Sequence, residues 1–210
     1  MTAAKIHSFW LDPMPLALAS KSKGRRLVLE QTGIDFTTHP AEIDERAIEA
    51  EVARTGGGAD EIATRLARDK ALAVSAELKG RLVLGADQVA SCEGRRFGKP
   101  ADVSRAAEQL RFLAGREHRL HSAAALVRDG AVLFETIGHA DLKMRPLSDA
   151  FIGSYLAVVG ADVAASAGAY QIEGLGIHLF ERIAGDHWTI LGLPLLPILE
   201  AARALGVLRA

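Results

Sequence analysis

The sequence predicts an α/β (α+β) protein built on a mixed β-sheet flanked by helices. Three observations carry this. Residues 60–78 read as a long helix that runs almost directly into the short apolar stretch Leu82–Ala86. Residues 117–128 and 131–145 read as two long strands joined by Asp129-Gly130, a hairpin signal. Helical and extended segments otherwise mix without the strict strand–helix–strand alternation of an all-parallel sheet.

The elements follow in order. Residues 15–19 form a short buried strand, and residues 23–32 a helix stopped by Gly33. Phe36–Thr38 extends, Pro40 opens the acidic loop Glu42-Ile43-Asp44-Glu45, and residues 44–53 are helical. Gly56-Gly57-Gly58 breaks the chain before the helix at 60–78. The strand at 82–86 delivers Asp87 to its exit. Residues 102–114 are a helix ended by Gly115. After the long hairpin come a helix at 148–159 capped by Ser148, short strands at 168–173 and 177–183, and a turn at Gly185-Asp186. A helix at 194–206, with Pro194 in its first turn, closes the chain.

Composition narrows the function. With 210 residues, 49% hydrophobic and 24% charged, the chain suits one soluble domain or two small lobes around a cleft. A net charge of −1 supplies no global field for nucleic acid or an anionic membrane, so an anion site must be built locally. Cys92 is the sole cysteine, which excludes an intramolecular disulfide and a cysteine-based zinc cluster and fits a reducing compartment. Asp12 and two prolines interrupt the apolar residues of 1–19, so no signal or membrane pattern arises, and a cytoplasmic location is expected.

Several residues can carry chemistry. A carboxylate leaving a strand, Asp87, can hold a divalent metal or take a proton from water. In Gly98-Lys99-Pro100 a lysine sits on a stiff turn where it can meet an anion. Ala19-Ser20-Lys21-Ser22-Lys23-Gly24-Arg25-Arg26 joins a strand end to a helix start amid four basic residues. Unpaired N–H groups and the helix dipole favour an anion there, and the basic side chains oppose that dipole unless an anion or solvent compensates. The segment is not a Walker loop.

Lys70 shares a helix face with Ala63, Ala67 and Val74, and two readings stand: its ammonium snorkels to the edge, or it points into a cleft. Glu42 is either solvated surface or, with Asp87, half of a two-carboxylate magnesium site completed by a triphosphate. His118 and His121, three apart on a strand, face opposite sides and do not make a zinc pair.

In order and at ordinary spacing, these segments resemble the Maf family of nucleotide pyrophosphatases. The likeness runs through Leu16-Ala17-Leu18-Ala19-Ser20-Lys21-Ser22, Glu42-Ile43-Asp44-Glu45, Lys70-Ala71, Gly85-Ala86-Asp87-Gln88, Gly98-Lys99-Pro100 and Leu113–His118. It closes with Gly168-Ala169-Tyr170-Gln171-Ile172-Glu173-Gly174 and Gly192-Leu193-Pro194-Leu195. The resemblance makes residues 15–210 a single domain, preceded by an N-terminal extension over 1–14. It implies a two-lobed fold around a nucleotide cleft, like that of the inosine-triphosphatase class, and a homodimer. It implies hydrolysis of nucleoside triphosphates to monophosphate and pyrophosphate with a divalent cation, Mg2+ or Mn2+.

By the same resemblance Asp87 is the proton acceptor, and Ser20, Arg25, Glu42, Lys70 and Lys99 bind phosphate or metal. Lys23 and Gly24 stand where the family has Pro followed by Arg or Trp, a position linked to base selection. Gln88 and Glu173 resemble the subgroup acting on 7-methyl-GTP; Thr and Gln mark the thymidine/uridine subgroup. A carboxylate at Glu173 suits the N2 donor of guanine, and a cationic methylated base favours an aromatic face, for which Trp188 and Tyr170 are the candidates. Two other functions stay open: a nucleotide-responsive regulator of septum formation with little turnover, and a phosphatase releasing orthophosphate.

Overall fold

The computed structural model describes residues 9–165 and 167–210; of the predicted extension over 1–14, residues 1–8 lie outside the described residues. Phe9–Met14 is tied to the last residues of the chain. Trp10 is buried and pairs antiparallel with Leu208, and Leu11 N–H donates to the Val207 carbonyl. The chain forms two compact units, one made of the chain up to Asp87 with Ser122–Gly138 and Leu191–Ala210, the other of Gln88–His121 and His139–Ile190.

The first unit is built on short parallel strands. β1 (Leu16–Ala19) is buried at every position, as a strand covered on both faces must be. It pairs in parallel with β2 (Phe36–Thr38) and with β3 (Val83–Cys92), in the register Ala17↔Val83 and Ala19↔Gly85. α1 (Lys23–Thr32) links β1 to β2; the Ser22 hydroxyl caps it by accepting from Arg25 N–H, and Gly33 ends it at φ 67°. α2 (Glu45–Arg54) is capped by Asp44, whose side chain accepts from Ala47 N–H.

α3 (Ala59–Glu77) crosses back to β3. Its Ala71 and Val74 pack on Ala17, Ala19 and Val83, with Ala125 and Val127 alongside. These strand residues alternate in sequence and so share one face, to which Gly85 and Asp87 also belong. A Cβ at Gly85 would lie 2.1 Å from the Ala67 carbonyl oxygen and 2.7 Å from the Ala71 Cβ. Only glycine lets the α3 backbone rest directly on the strand. α7 (Leu195–Ala204), preceded by Pro194, adds Leu195, Ile198, Ala201 and Ala202 to the buried residues.

Among the described residues, seven strands form one mixed sheet in the order β2-β1-β3-β5-β6-β7, where β5 is Glu117–Arg128, β6 Ala131–Met144 and β7 Phe180–Ala184. β4 (Arg95–Phe97) lies off this path, antiparallel to β3. In the second unit α4 (Val103–Leu113) and α5 (Asp149–Val159) bury Leu110, Leu113, Ile152 and Tyr155 with Phe97, Leu142, Met144 and Leu179. α6 (His187–Ile190) is a single turn.

Three expectations need correction. The strand at 82–86 continues to Cys92, so Asp87 lies within it and not at its exit. Residues 168–173 are not a strand: 3-10 turns at Ala167–Ala169 and Leu175–Leu179 flank Tyr170–Gly174, and the strand predicted from 177 begins at Phe180. Gly168 at φ 80° and Ala169 at φ 63° take left-handed backbone, which no strand accepts. β4, α6 and a 3-10 turn at Gly160–Ala165 are additional elements.

His118 lies in the core of the second unit at 2% exposure, its Nε2 2.7 Å from the Tyr170 hydroxyl. Burial pulls its pKa from 6.5 down to about 4, a shift that nearby Asp141 opposes. An unfolded chain therefore takes up the proton first. His118 costs nothing above its ordinary pKa of 6.5, and the loss grows as pH falls, levelling off below about 4. The full effect is roughly 3 kcal/mol. Urea midpoints of wild type and His118→Gln compared across this pH window should change by different amounts, the wild type losing more; parallel curves would contradict a neutral buried imidazole.

Candidate active site

Parallel strands present their carboxyl ends on one edge, where loops diverge and ligands bind. Here β1 ends at Ala19 and β2 at Thr38, while β3 runs on past its parallel partner. Asp87 therefore sits at the carboxyl edge of the parallel sheet although its own strand continues. Gly85 on the same face admits α3, and α3 brings Lys70.

Lys70 is 8% exposed, as is Asp87. Its Nζ lies 2.5 Å from Asp87 Oδ1 and 2.8 Å from Glu45 Oε1. Snorkelling to the edge does not occur: the ammonium is buried and ends between two carboxylates. A lone buried ammonium is costly, and two anionic partners offset that cost.

Arg25, 9% exposed, is held as firmly. Its Nε donates to the Gly192 carbonyl at 3.1 Å and its Nη1 to the Ser20 hydroxyl at 3.0 Å. The same hydroxyl accepts from Ser22 N–H at 3.2 Å. Ser20 thus fixes both the turn after β1 and the guanidinium. Burial pushes the Arg25 pKa down, while Asp87 and then Glu45 pull it back up. A cation drawn from water and aimed by two oxygens meets an incoming anion with little reorganisation.

Gly24 has a spatial reason. A Cβ there would lie 3.0 Å from the Leu191 carbonyl oxygen, so a side chain at this position requires the segment before Gly192 to give way. Glu42 is exposed, and Glu45 is the acidic-loop residue that reaches Lys70. The available signal was Asp44: as N-cap it places Glu45 in the first turn of α2, a fixed position, whereas Glu42 precedes the helix.

The remaining candidates belong to the second unit. Lys99 and Glu173 are exposed. The Gln88 amide donates to the Thr189 and Ile190 carbonyls at 3.2 and 3.0 Å, anchoring α6 to β3. Of the two aromatic candidates for a methylated base, Tyr170 is buried against Phe180 with its face turned into the core, and Trp188, in α6, is half-buried. His118 and His121 have separate partners, Tyr170 for the first and Ser91 for the second.

The Asp87 and Glu45 carboxylates converge on the Lys70 ammonium, and carboxylate oxygens are donors of the kind that hold hard divalent cations.

Residues 15–205 match the family model described as "Maf-like protein". A protein of Rhodopseudomonas palustris named nucleoside triphosphate pyrophosphatase is 54% identical over 201 residues, 96% of this chain and 98% of its own. One of Rhizobium etli named 7-methyl-GTP pyrophosphatase is 52% identical over 193 residues, 92% of this chain and 97% of its own. A solved HAM1 protein from Coxiella burnetii is similar over 62% of this chain and 73% of its own, at 16% identity and a TM-score of 0.38.

Proposed function

The chain belongs to the Maf-like family, and from that premise we propose that it hydrolyses nucleoside triphosphates at the α–β phosphoanhydride, releasing monophosphate and pyrophosphate. The observation that carries the reading is Lys70, buried between Asp87 and Glu45 at the carboxyl edge of the parallel strands beside the pinned Arg25. Triphosphate oxygens compete with the two carboxylates for the Lys70 ammonium. That competition releases Asp87 to accept the proton of a water attacking the α-phosphorus. As the oxygen–phosphorus bond forms, the α–β bridging bond breaks, and its electrons leave on pyrophosphate. Arg25 and Lys70 offset the charge growing on the phosphate oxygens, and Lys99 adds a third cation in this proposal. Asp87, with Glu45 or Glu42, would hold a divalent cation, Mg2+ or Mn2+, whose chemistry is to neutralise triphosphate charge.

The base is assigned to Glu173, whose carboxylate suits the N2 donor of a guanine such as that of 7-methyl-GTP. The proposal places Gly24 and Gln88 in support, Gly24 by keeping the turn before Arg25 slim and Gln88 by holding α6. The relatives' names support this substrate class. The proposal extends to a homodimer in the cytoplasm; among the described residues no helix is long and apolar enough to cross a membrane.

The test is incubation with Mg2+ and a panel of GTP, 7-methyl-GTP, UTP and dTTP, reading pyrophosphate and orthophosphate separately. Pyrophosphate with the guanine nucleotides ahead is the expected result. Orthophosphate alone would make the protein a phosphatase, and no product from any nucleotide would leave only a binding role.

A further inference from the structure

A carboxylate that reads a base must be held in place, yet Glu173 is exposed and lies between 3-10 turns in place of a strand. What holds its segment is visible on both sides. Downstream, the Gln171 carbonyl accepts from Gly174 N–H at 3.2 Å and from Gly176 N–H at 3.1 Å, so the chain closes a tight loop around one oxygen with Glu173 inside the loop's span. A Cβ at Gly176 would stand 2.3 Å from that oxygen.

Upstream, Gly168 and Ala169 are both left-handed, a state that alanine avoids and that persists only where surroundings impose it. Those surroundings are an aromatic cluster. The Tyr155 hydroxyl donates to the Ala169 carbonyl at 3.4 Å. The Tyr170 ring meets Phe180 edge-on, with centroids 4.8 Å apart, and its hydroxyl shares the 2.7 Å hydrogen bond with His118. His118 Nδ1 is buried with no hydrogen-bond partner. A phenylalanine would fill the same space without that unpaired nitrogen; what imidazole adds is the bond to Tyr170.

The geometry points to His118 and Tyr170 as positioning residues for base selection: their buried hydrogen bond fixes the start of the loop that presents Glu173. This rests on the assignment of the base to Glu173 made above. Neither residue touches the nucleotide. Displacing a positioned group by an ångström costs on the order of a hundredfold where position is all it contributes, so even partial slackening is measurable.

The experiment compares GTP and 7-methyl-GTP with UTP, for kcat, KM and dissociation constant, in wild type, Tyr170→Phe, His118→Gln, His118→Leu, Glu173→Gln and the double variant Tyr170→Phe/Glu173→Gln. Tyr170→Phe should lower guanine-over-uracil discrimination about tenfold through KM, with kcat within about twofold. His118→Leu should match it, and His118→Gln, which keeps a hydrogen-bonding arm, should recover most of the loss. The double variant should be no less selective than Glu173→Gln alone, because both changes remove one device.

Wild-type discrimination in Tyr170→Phe overturns the proposal, as does an equal loss of kcat on every nucleotide or an additive double variant. Dissociation constants keep the test independent of turnover. A wild type that binds guanine nucleotides selectively but releases no pyrophosphate refutes the reaction, while the positioning role is still decided by Tyr170→Phe. A wild type that binds all bases alike refutes the positioning role itself.

Discussion

Asp87→Asn should abolish most pyrophosphate release, a fall of about 10²- to 10⁴-fold in kcat, the range expected when a positioned base is removed. Asparagine keeps the volume and one acceptor oxygen but cannot take the proton. Stability should move far less than activity. Removing one partner of a buried ion pair costs about 3–5 kcal/mol when the other charge is stranded. Lys70 is not stranded here, because Glu45 stays at 2.8 Å. The expected destabilisation is therefore nearer 1–2 kcal/mol, the scale of a single charged hydrogen bond. Urea unfolding and pyrophosphate release on the same preparation separate the two effects. Adding Lys70→Met should regain stability without regaining turnover. Wild-type-like pyrophosphate release from Asp87→Asn would remove Asp87 from the mechanism.

Gly85→Ala should be the most damaging small substitution in the first unit. Its methyl would lie 2.1 Å from the Ala67 carbonyl oxygen, and that neighbour is helix backbone with no rotamer to change. α3 must lift from β3. Overpacking of a filled core costs about 1–3 kcal/mol when side chains can yield, and the upper end or more applies when backbone must move. Against a total of about 5–15 kcal/mol for an ordinary domain, the urea midpoint should fall sharply. The folded fraction should also lose activity, because Lys70 moves with α3 away from Asp87. An unchanged midpoint would mean that α3 does not rest on the strand at this glycine.

Much of this arrangement is legible in the sequence, and the reasons for the remainder are local. The helices and the long hairpin follow from spacing, caps and Asp129-Gly130, and they form where expected. Lys70 announced itself by interrupting an apolar stripe, but a helical face alone does not say what lies opposite. The answer depended on Gly85, whose missing side chain reads as a flexible position until α3 is seen against it. The far half of β3 does not stand out because Gln88 and Ser91 break the apolar run; their hydrogen-bond partners, backbone carbonyls of α6 and the His121 imidazole, come from distant positions.

In the acidic loop the sequence singles out Glu42, whereas the carboxylate that meets Lys70 is Glu45, which the Asp44 cap fixes in the first turn of α2. The segment at 168–173 looked extended from its β-favouring Tyr170 and Ile172, and two left-handed residues overrode that preference. The resemblance of residues 15–205 to a family is legible from ordered short motifs, whereas the bonds that pin Arg25 and Tyr170 are contacts that no motif records.

The bond between Arg25 and the Gly192 carbonyl spans 167 positions of the chain. During synthesis at about 5–20 residues per second, the guanidinium waits roughly 10–30 s for the oxygen that aims it. Throughout that interval a nascent chain lacks the oxygen that accepts from the Arg25 Nε. Chains cut short by stalling or proteolysis before residue 192 would share that defect.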